Sequence, residues 1–254
     1  MLCDTSSLLP IHREEPGPRR LLRLLDGLDG PAMSLTLTLS AGAGADQVLN
    51  AQDPPGLRAT LATLLGTNAA APAGLVLFWS SELAYAVRPP LAPAHPERRN
   101  GWRVEGLLDL LGSQHTLGVF LLRRGGYVVG IYSGDLLVAS KAGTRFVKNR
   151  HRKGGQSQRR FDRIREKQVD ELFDQACRVA RERIEPYAAS LAALFTGGDR
   201  RTVAAFLDQC PYLRDLPARV QGRFINTPEP RHDTLKLAYD LIWRSEWTEL
   251  RPAT

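Results

Sequence analysis

Between Leu117 and Ile184 the apolar residues change their spacing once, and that change restricts the fold more than any other feature of the chain. The first part reads as three strands, LGVFLL, YVVGIY and a shorter LLVAS, separated by the turn-forming RRGG and SGD. Such a run predicts a meander. From Ser157 onward the apolar positions recur at helical intervals. Phe161, Ile164, Val169, Leu172, Phe173, Ala176, Val179, Ala180 and Ile184 form one stripe that stops before Pro186, which predicts a long amphipathic helix.

The pattern continues downstream. LAALFT (Leu191 to Thr196) reads as a buried strand, Gly197 to Asp199 as a turn whose aspartate caps the next helix, and RTVAAFLDQC as that helix. RVQGRFIN suggests another strand, and His232 to Trp247 another helix with Trp243 and Trp247 on one face as core residues. Upstream, SLTLTLS alternates as a half-buried strand does, GLVLFW reads as a more buried one, and Leu57 to Leu65 and VEGLLDLLG look helical. The four prolines of Arg88 to Asn100, RPPLAPAHPERRN, predict a linker. The expected fold class is therefore α/β (α+β), with a small N-terminal α/β domain over residues 1–96. Residues 97–254 are expected to form a mixed central sheet with flanking helices and a protruding loop.

With 254 residues and 43% hydrophobic content the chain can bury a real core. Its formal charge is +7, and the charge is unevenly placed. Eleven Lys or Arg against two acids between Lys141 and Lys167 give that window +9, which leaves the remainder at −2. A focused basic patch of this kind favours a polyanion such as RNA. Cys3, Cys177 and Cys210 are odd in number, widely spaced and form no C-x-x-C pair. That pattern argues against a disulfide framework or a zinc site and suits a reducing, cytoplasmic setting. His12, His95, His115, His151 and His232 lack metal-ligand spacing, so neither metal nor cofactor is expected. Asp4, Glu14, Glu15, Pro10, Pro16 and Pro18 interrupt the segment where a signal peptide would need an apolar run. The longest apolar runs have strand length, so no membrane partner is expected.

The segment KNRHRKGGQSQRRFDRIRE, Lys148 to Glu166, joins the meander to the long helix and carries the functional signal. Gly154 and Gly155 lack Cβ atoms, so the backbone there can enter a narrow site and turn at little steric cost. Lys148, Arg150, Arg152 and Lys153 precede the tip, and Arg159, Arg160, Arg163 and Arg165 follow it, which makes a clamp for phosphates. Gln156 is the expected catalytic residue. Its carboxamide takes no proton near neutral pH, but it can orient a water and donate hydrogen bonds to developing charge. A glutamate would instead carry negative charge into RNA. The tip has no Ser-His-Asp or Cys-His arrangement, so direct attack by water is expected rather than a covalent intermediate. His151 and Ser157 flank the tip and are given no catalytic role.

A bare Gly-Gly-Gln is weak by itself; its flanks give it weight. The string R-x-R-K-G-G-Q-S-x-x-R-F-x-R-x-R-E resembles the catalytic loop in the central domain of eukaryotic and archaeal class-1 peptide chain release factors. The likeness extends in element order over roughly Arg103 to Leu250. It implies that Gly154, Gly155 and Gln156 promote hydrolysis of the peptidyl-tRNA ester. It also implies, as partners, the large ribosomal subunit with the RNA of its peptidyl transferase centre, peptidyl-tRNA, and a glutamine methyltransferase acting on Gln156. The short N-terminal region shows no match to the family's stop-codon-reading motifs, and the sequence ends where the family's third, GTPase-binding domain would be expected to begin. In this the chain is more similar to the compact, Vms-like release factors of ribosome quality control, bacterial members included, which act on stalled or split ribosomes without reading a codon. Two other readings of the loop stay open: a ribosome- or RNA-binding factor with an idle tip, and cleavage of the tRNA strand near its 3′ end.

Overall fold

The computed structural model describes residues 8–66, 73–144, 156–216 and 223–252, with the backbone alone for 156–162. In chain order the elements begin β1 (Leu8–Glu14), α1 (Pro18–Asp26), β2 (Leu35–Leu39), α2 (Pro55–Leu65), β3 (Leu75–Trp79), β4 (Ala84–Arg88), β5 (Glu97–Asn100) and α3 (Glu105–Gly112). They continue as β6 (Thr116–Arg123), β7 (Gly126–Ser133), β8 (Leu136–Thr144), α4 (Gln156–Ile184), β9 (Leu191–Gly198), α5 (Arg200–Gln209), α6 (Pro211–Arg214), α7 (Thr234–Ile242) and β10 (Glu246–Pro252). Two compact units result, Met1–Ser113 with Trp243–Thr254, and Gln114–Ile242.

The first unit is built on one antiparallel sheet in the order β1-β10-β4-β3-β2-β5. Helix α2 supplies Leu57, Leu61, Leu64 and Leu65 against Leu37, Leu39, Leu75 and Leu77 on one face. On the other face Leu21 and Leu25 of α1 and Leu107 of α3 cover Val76, Phe78, Val87 and Trp247. Strand β3 is thus buried on both sides, which is why LVLFW is an uninterrupted apolar run.

The boundary expected at residues 96 and 97 is displaced to Ser113. The proline-rich stretch ends in β5, which pairs with β2 from Thr38↔Glu97 to Leu35↔Asn100. The Arg98 guanidinium grips both carboxylate oxygens of Asp53, at 2.6 and 2.8 Å. Burial pushes the Asp53 pKa up, but the hydrogen bonds from Arg98 and from the Asn50 backbone outweigh it and hold the carboxyl below its ordinary range. Charged residues on β5 suit an edge strand, and they hid it from hydrophobic patterning.

In the second unit the meander is present as expected. The order is β8-β7-β6-β9, antiparallel through the hairpins and parallel between β6 and β9, which makes this sheet mixed. Arg124–Gly125 and Gly134–Asp135 form the two-residue turns, with φ of 117° at Gly125 and 60° at Gly134, where glycine costs least. Leu172, Phe173, Ala176, Val179, Ala180 and Ile184 of α4 pack on Phe120, Leu122, Tyr127, Val129 and Ile131 of the sheet. Phe206 of α5 closes that core, stacked on Phe120 at 4.8 Å and edge-on to Phe173 at 5.5 Å. Helix α7 covers the opposite face, with the Leu235 side chain lying over Gly130 where a Cβ would collide with it.

Three further expectations are corrected. The strand read in RVQGRFIN reduces, among the described residues, to a parallel bridge between Ile225 and Gly197. The helix read as far as Trp247 ends at Ile242, and Trp247 lies in β10 against Tyr85 at 5.0 Å. A spacing of four fits a helix turn and a strand face equally, so two tryptophans could not separate them. Finally, Cys177 on α4 and Cys210 at the end of α5 form a disulfide with their Cα atoms 5.6 Å apart. Residues 33 positions apart meet because α4 and α5 pack side by side, a proximity that cysteine number and spacing do not encode. The cysteines therefore no longer support a reducing compartment.

Candidate functional site

Helix α4 is the element that carries the predicted site. Its fully buried stripe starts with Leu172, preceded by the half-buried Val169 on the same core, and among the described side chains no α4 residue before Leu172 is fully buried. Gln156 is the first residue of this 29-residue helix. At about 1.5 Å per residue it stands about 24 Å along the axis from Leu172. The helix ends where Pro186 enters a single 3₁₀ turn, Glu185–Tyr187.

Of the residues expected in the site, Lys148, Arg150, Arg152, Lys153, Gly154 and Gly155 lie outside the described residues. Gln156, Arg159 and Arg160 are described by their helical backbone only. Arg163 is exposed, and Arg165 is half-buried. The first turn of α4 contains no acid, so the partial positive charge of the helix N-terminus, about half an elementary charge, goes uncompensated by a carboxylate within that turn.

Arg165 lines a groove of about 560 Å³ between α4 and α5, together with Arg124 of the first hairpin turn and Arg201 of α5. Neither Arg124 nor Arg201 stood out in the sequence. The signal that could have found them is the pair of Arg-Arg dipeptides, one after β6 and one opening α5.

Beside the groove, Asp199 caps α5 by accepting from the Thr202 backbone N–H at 2.8 Å and from its hydroxyl at 2.5 Å. Those bonds, followed by the nearby charges of Arg123 and Arg124, hold its pKa below the usual carboxylate value against the opposing effect of burial. The preceding Gly198 has φ of 106°, and a Cβ there would run into the Leu122 carbonyl. The Gly-Gly-Asp sequence is thus accounted for by close packing and capping, as the sequence reading expected of the turn.

Comparison with known proteins places these elements in context. The family model described as "Actinobacteria/chloroflexi VLRF1 release factor" matches residues 115–248. Peptide chain release factor subunit 1 of Archaeoglobus fulgidus is 29% identical over 121 residues, covering 48% of this chain and 30% of that protein. The protein of the same description from Methanopyrus kandleri is 32% identical over 117 residues, covering 46% of this chain and 28% of its own length. The match thus spans less than a third of those two relatives. Among solved structures, the archaeal translation termination factor aRF1 aligns with 20% identity and a TM-score of 0.39 over 87% of this chain and 68% of that one. The Vms1 mitochondrial localization core aligns with 14% identity and a TM-score of 0.41 over 67% and 74%.

Proposed function

Because this chain belongs to the Actinobacteria/chloroflexi VLRF1 release factor family, we propose that it hydrolyses the ester between a nascent peptide and its tRNA on stalled or split ribosomes, without reading a codon. The observation that carries this reading is the Gly154-Gly155-Gln156 string, set among cations at the start of α4 and inside the matched span. The water oxygen adds to the ester carbonyl carbon, and the bond to the ribose 3′ oxygen breaks. A free peptide carboxylate and a tRNA with an intact 3′ hydroxyl result. Gln156 orients the water and donates to the developing oxyanion, and the positive end of α4 favours the same charge. The flanking Lys148, Arg150, Arg152, Lys153, Arg159, Arg160, Arg163 and Arg165 hold phosphates of ribosomal and transfer RNA and so set the position of the tip.

The partners under this reading are the large ribosomal subunit and peptidyl-tRNA, with a glutamine methyltransferase acting on Gln156. Among the described residues no helix is long and apolar enough to cross a membrane, and the proposed place of action is the cytoplasm, where ribosomes are. The chemistry is assigned to the second unit, Gln114–Ile242, which holds the start of α4.

The test is Gln156→Ala on purified large subunits that carry peptidyl-tRNA. Peptide release should fall by about 100-fold or more, the scale for loss of an oxyanion donor, while subunit binding persists. Unchanged release removes the catalytic claim and favours an RNA-binding factor with an idle tip. Sequencing the acceptor end of the product should return an intact CCA; a shortened end would mean strand cleavage instead.

A further inference from the structure

Two of the three Arg-Arg pairs in the second unit, Arg123-Arg124 and Arg200-Arg201, are used alike. In Arg123-Arg124, the Arg123 guanidinium donates to the carbonyls of Thr227 at 2.6 Å and Pro228 at 3.1 Å, while Arg124 stands exposed in the hairpin turn. In Arg200-Arg201 both residues are exposed; Arg200 lies over the Phe224 ring at 4.3 Å, and Arg201 stands in the first turn of α5. The first arginine of each pair is committed to the fold, and the second lines the groove that Arg165 enters from α4.

Fold stability gives no reason for Arg201 to be where it is. The first turn of a helix favours acids, and a cation there faces the positive end of the backbone dipole. Among the described residues the side chains of Arg124, Arg165 and Arg201 form no hydrogen bond or ion pair, although Glu166 and Asp170 line the same groove. The nearby Asp199 carboxylate accepts from the α5 N-terminus and, although it feels the charge of Arg124, forms no ion pair with the three guanidinium groups.

The lining has three chemistries, and together they discriminate between ligands. Guanidinium forks match phosphate oxygens. A lone phosphate would find no use for the carboxylates or for the apolar floor of Val169, Phe173 and Ala205. A nucleotide uses all three. Its phosphate meets the arginines, its 2′-hydroxyl and exocyclic amine can donate to Glu166 and Asp170, and a base face can cover the floor. The volume of about 560 Å³ suits a ligand of that size.

We infer that the α4–α5 groove is an RNA subsite that holds one nucleotide, its phosphate bound by Arg124, Arg165 and Arg201. On the helix rise its α4 lining lies about 14 to 26 Å behind Gln156. This rests on the ribosomal reading above. Ribosomal RNA and the tRNA acceptor end share this chemistry, and the experiment separates them.

Binding of the full chain to purified large subunits is titrated between about 50 and 200 mM salt, on vacant subunits and on subunits carrying peptidyl-tRNA. The double variant Arg124→Ala with Arg201→Ala should bind at least about tenfold more weakly at low salt, with the log–log salt slope reduced by about 1 to 2. The corresponding double lysine variant should restore the slope. Arg214→Ala, which removes an exposed arginine paired with Asp215 outside the groove, should leave it unchanged. Loss on both kinds of subunit assigns the nucleotide to ribosomal RNA, and loss only on loaded subunits assigns it to tRNA. Wild-type affinity and slope in the alanine variant on both would overturn the subsite. Gln156→Ala is measured alongside: if it releases peptide as wild type does, the hydrolase reading falls while the groove result stands on its own.

Discussion

Phe206→Ala tests the claim that α5 wedges α4 onto the sheet. The side chain has no exposed surface, stacks on Phe120 of β6 at 4.8 Å and meets Phe173 of α4 edge-on at 5.5 Å. It therefore ties a strand to both helices of this core. Truncating a buried phenylalanine costs about 3 to 5 kcal/mol through lost transfer energy and the cavity left behind. Each aromatic pair adds about 0.5 to 1.5 kcal/mol beyond burial, so the upper half of that range is expected here. With a urea m-value of about 2 kcal/mol/M, the unfolding midpoint should fall by about 2 M. Far-ultraviolet circular dichroism is a suitable readout, since α4 alone contributes 29 helical residues. Phe206→Leu keeps most of the volume and should cost less than half as much. A loss below about 1 kcal/mol for the alanine variant would show that the ring bears little load and that α4 is held on the sheet by other contacts.

Two further outcomes follow from the same unit. The folded-state pKa of Asp199 is depressed, so its contribution to stability is fully present above the unfolded value of about 4 and is lost as pH falls through the lower folded value. Asn caps a helix equally well without titrating; Asp199→Asn should therefore match wild type in urea at neutral pH and lose less stability below about pH 4, and parallel acid curves for the two proteins would refute the assignment. The Cys177–Cys210 bond closes a loop with a sequence separation of 33 residues. Its removal with a dithiol reductant should cost about 3 to 4 kcal/mol on the chain-entropy account, and thiol counting that finds three free cysteines in the native protein would refute the bond.

The hydrophobic period disclosed the second unit well, because its strands β6 and β7 are buried on both faces and α4 is amphipathic over its C-terminal half. It disclosed the first unit less well. Strand β1 carries Pro10, His12 and Arg13 along a sheet edge, and β5 is Glu-Arg-Arg-Asn; neither has the alternation that pattern reading detects. The spacing of Trp243 and Trp247 mimics a helix over the first two residues of β10, and the strand's pairing with β1 and β4 is made by residues far away in sequence. The site divides in the same way. A contiguous loop such as Lys148 to Glu166 is visible in one line of sequence. The groove is assembled from a turn and two helices, and only folding brings Arg124, Arg165 and Arg201 to one place.

Gln156 stands about 24 Å along α4 from Leu172, so the aim of the helix start is decided where α4 packs on the sheet. A tilt of about 5° where Leu172 meets the sheet would swing the first residue by about 2 Å, and an error of about 1 Å in a reacting group can cost on the order of a hundredfold in rate. On the proposed function, angular tolerance at Ala176 and Ala180, small side chains buried between α4 and the sheet, would govern turnover as strictly as any atom at the helix start. Bulkier residues there should slow the chemistry even if every contact with RNA were preserved.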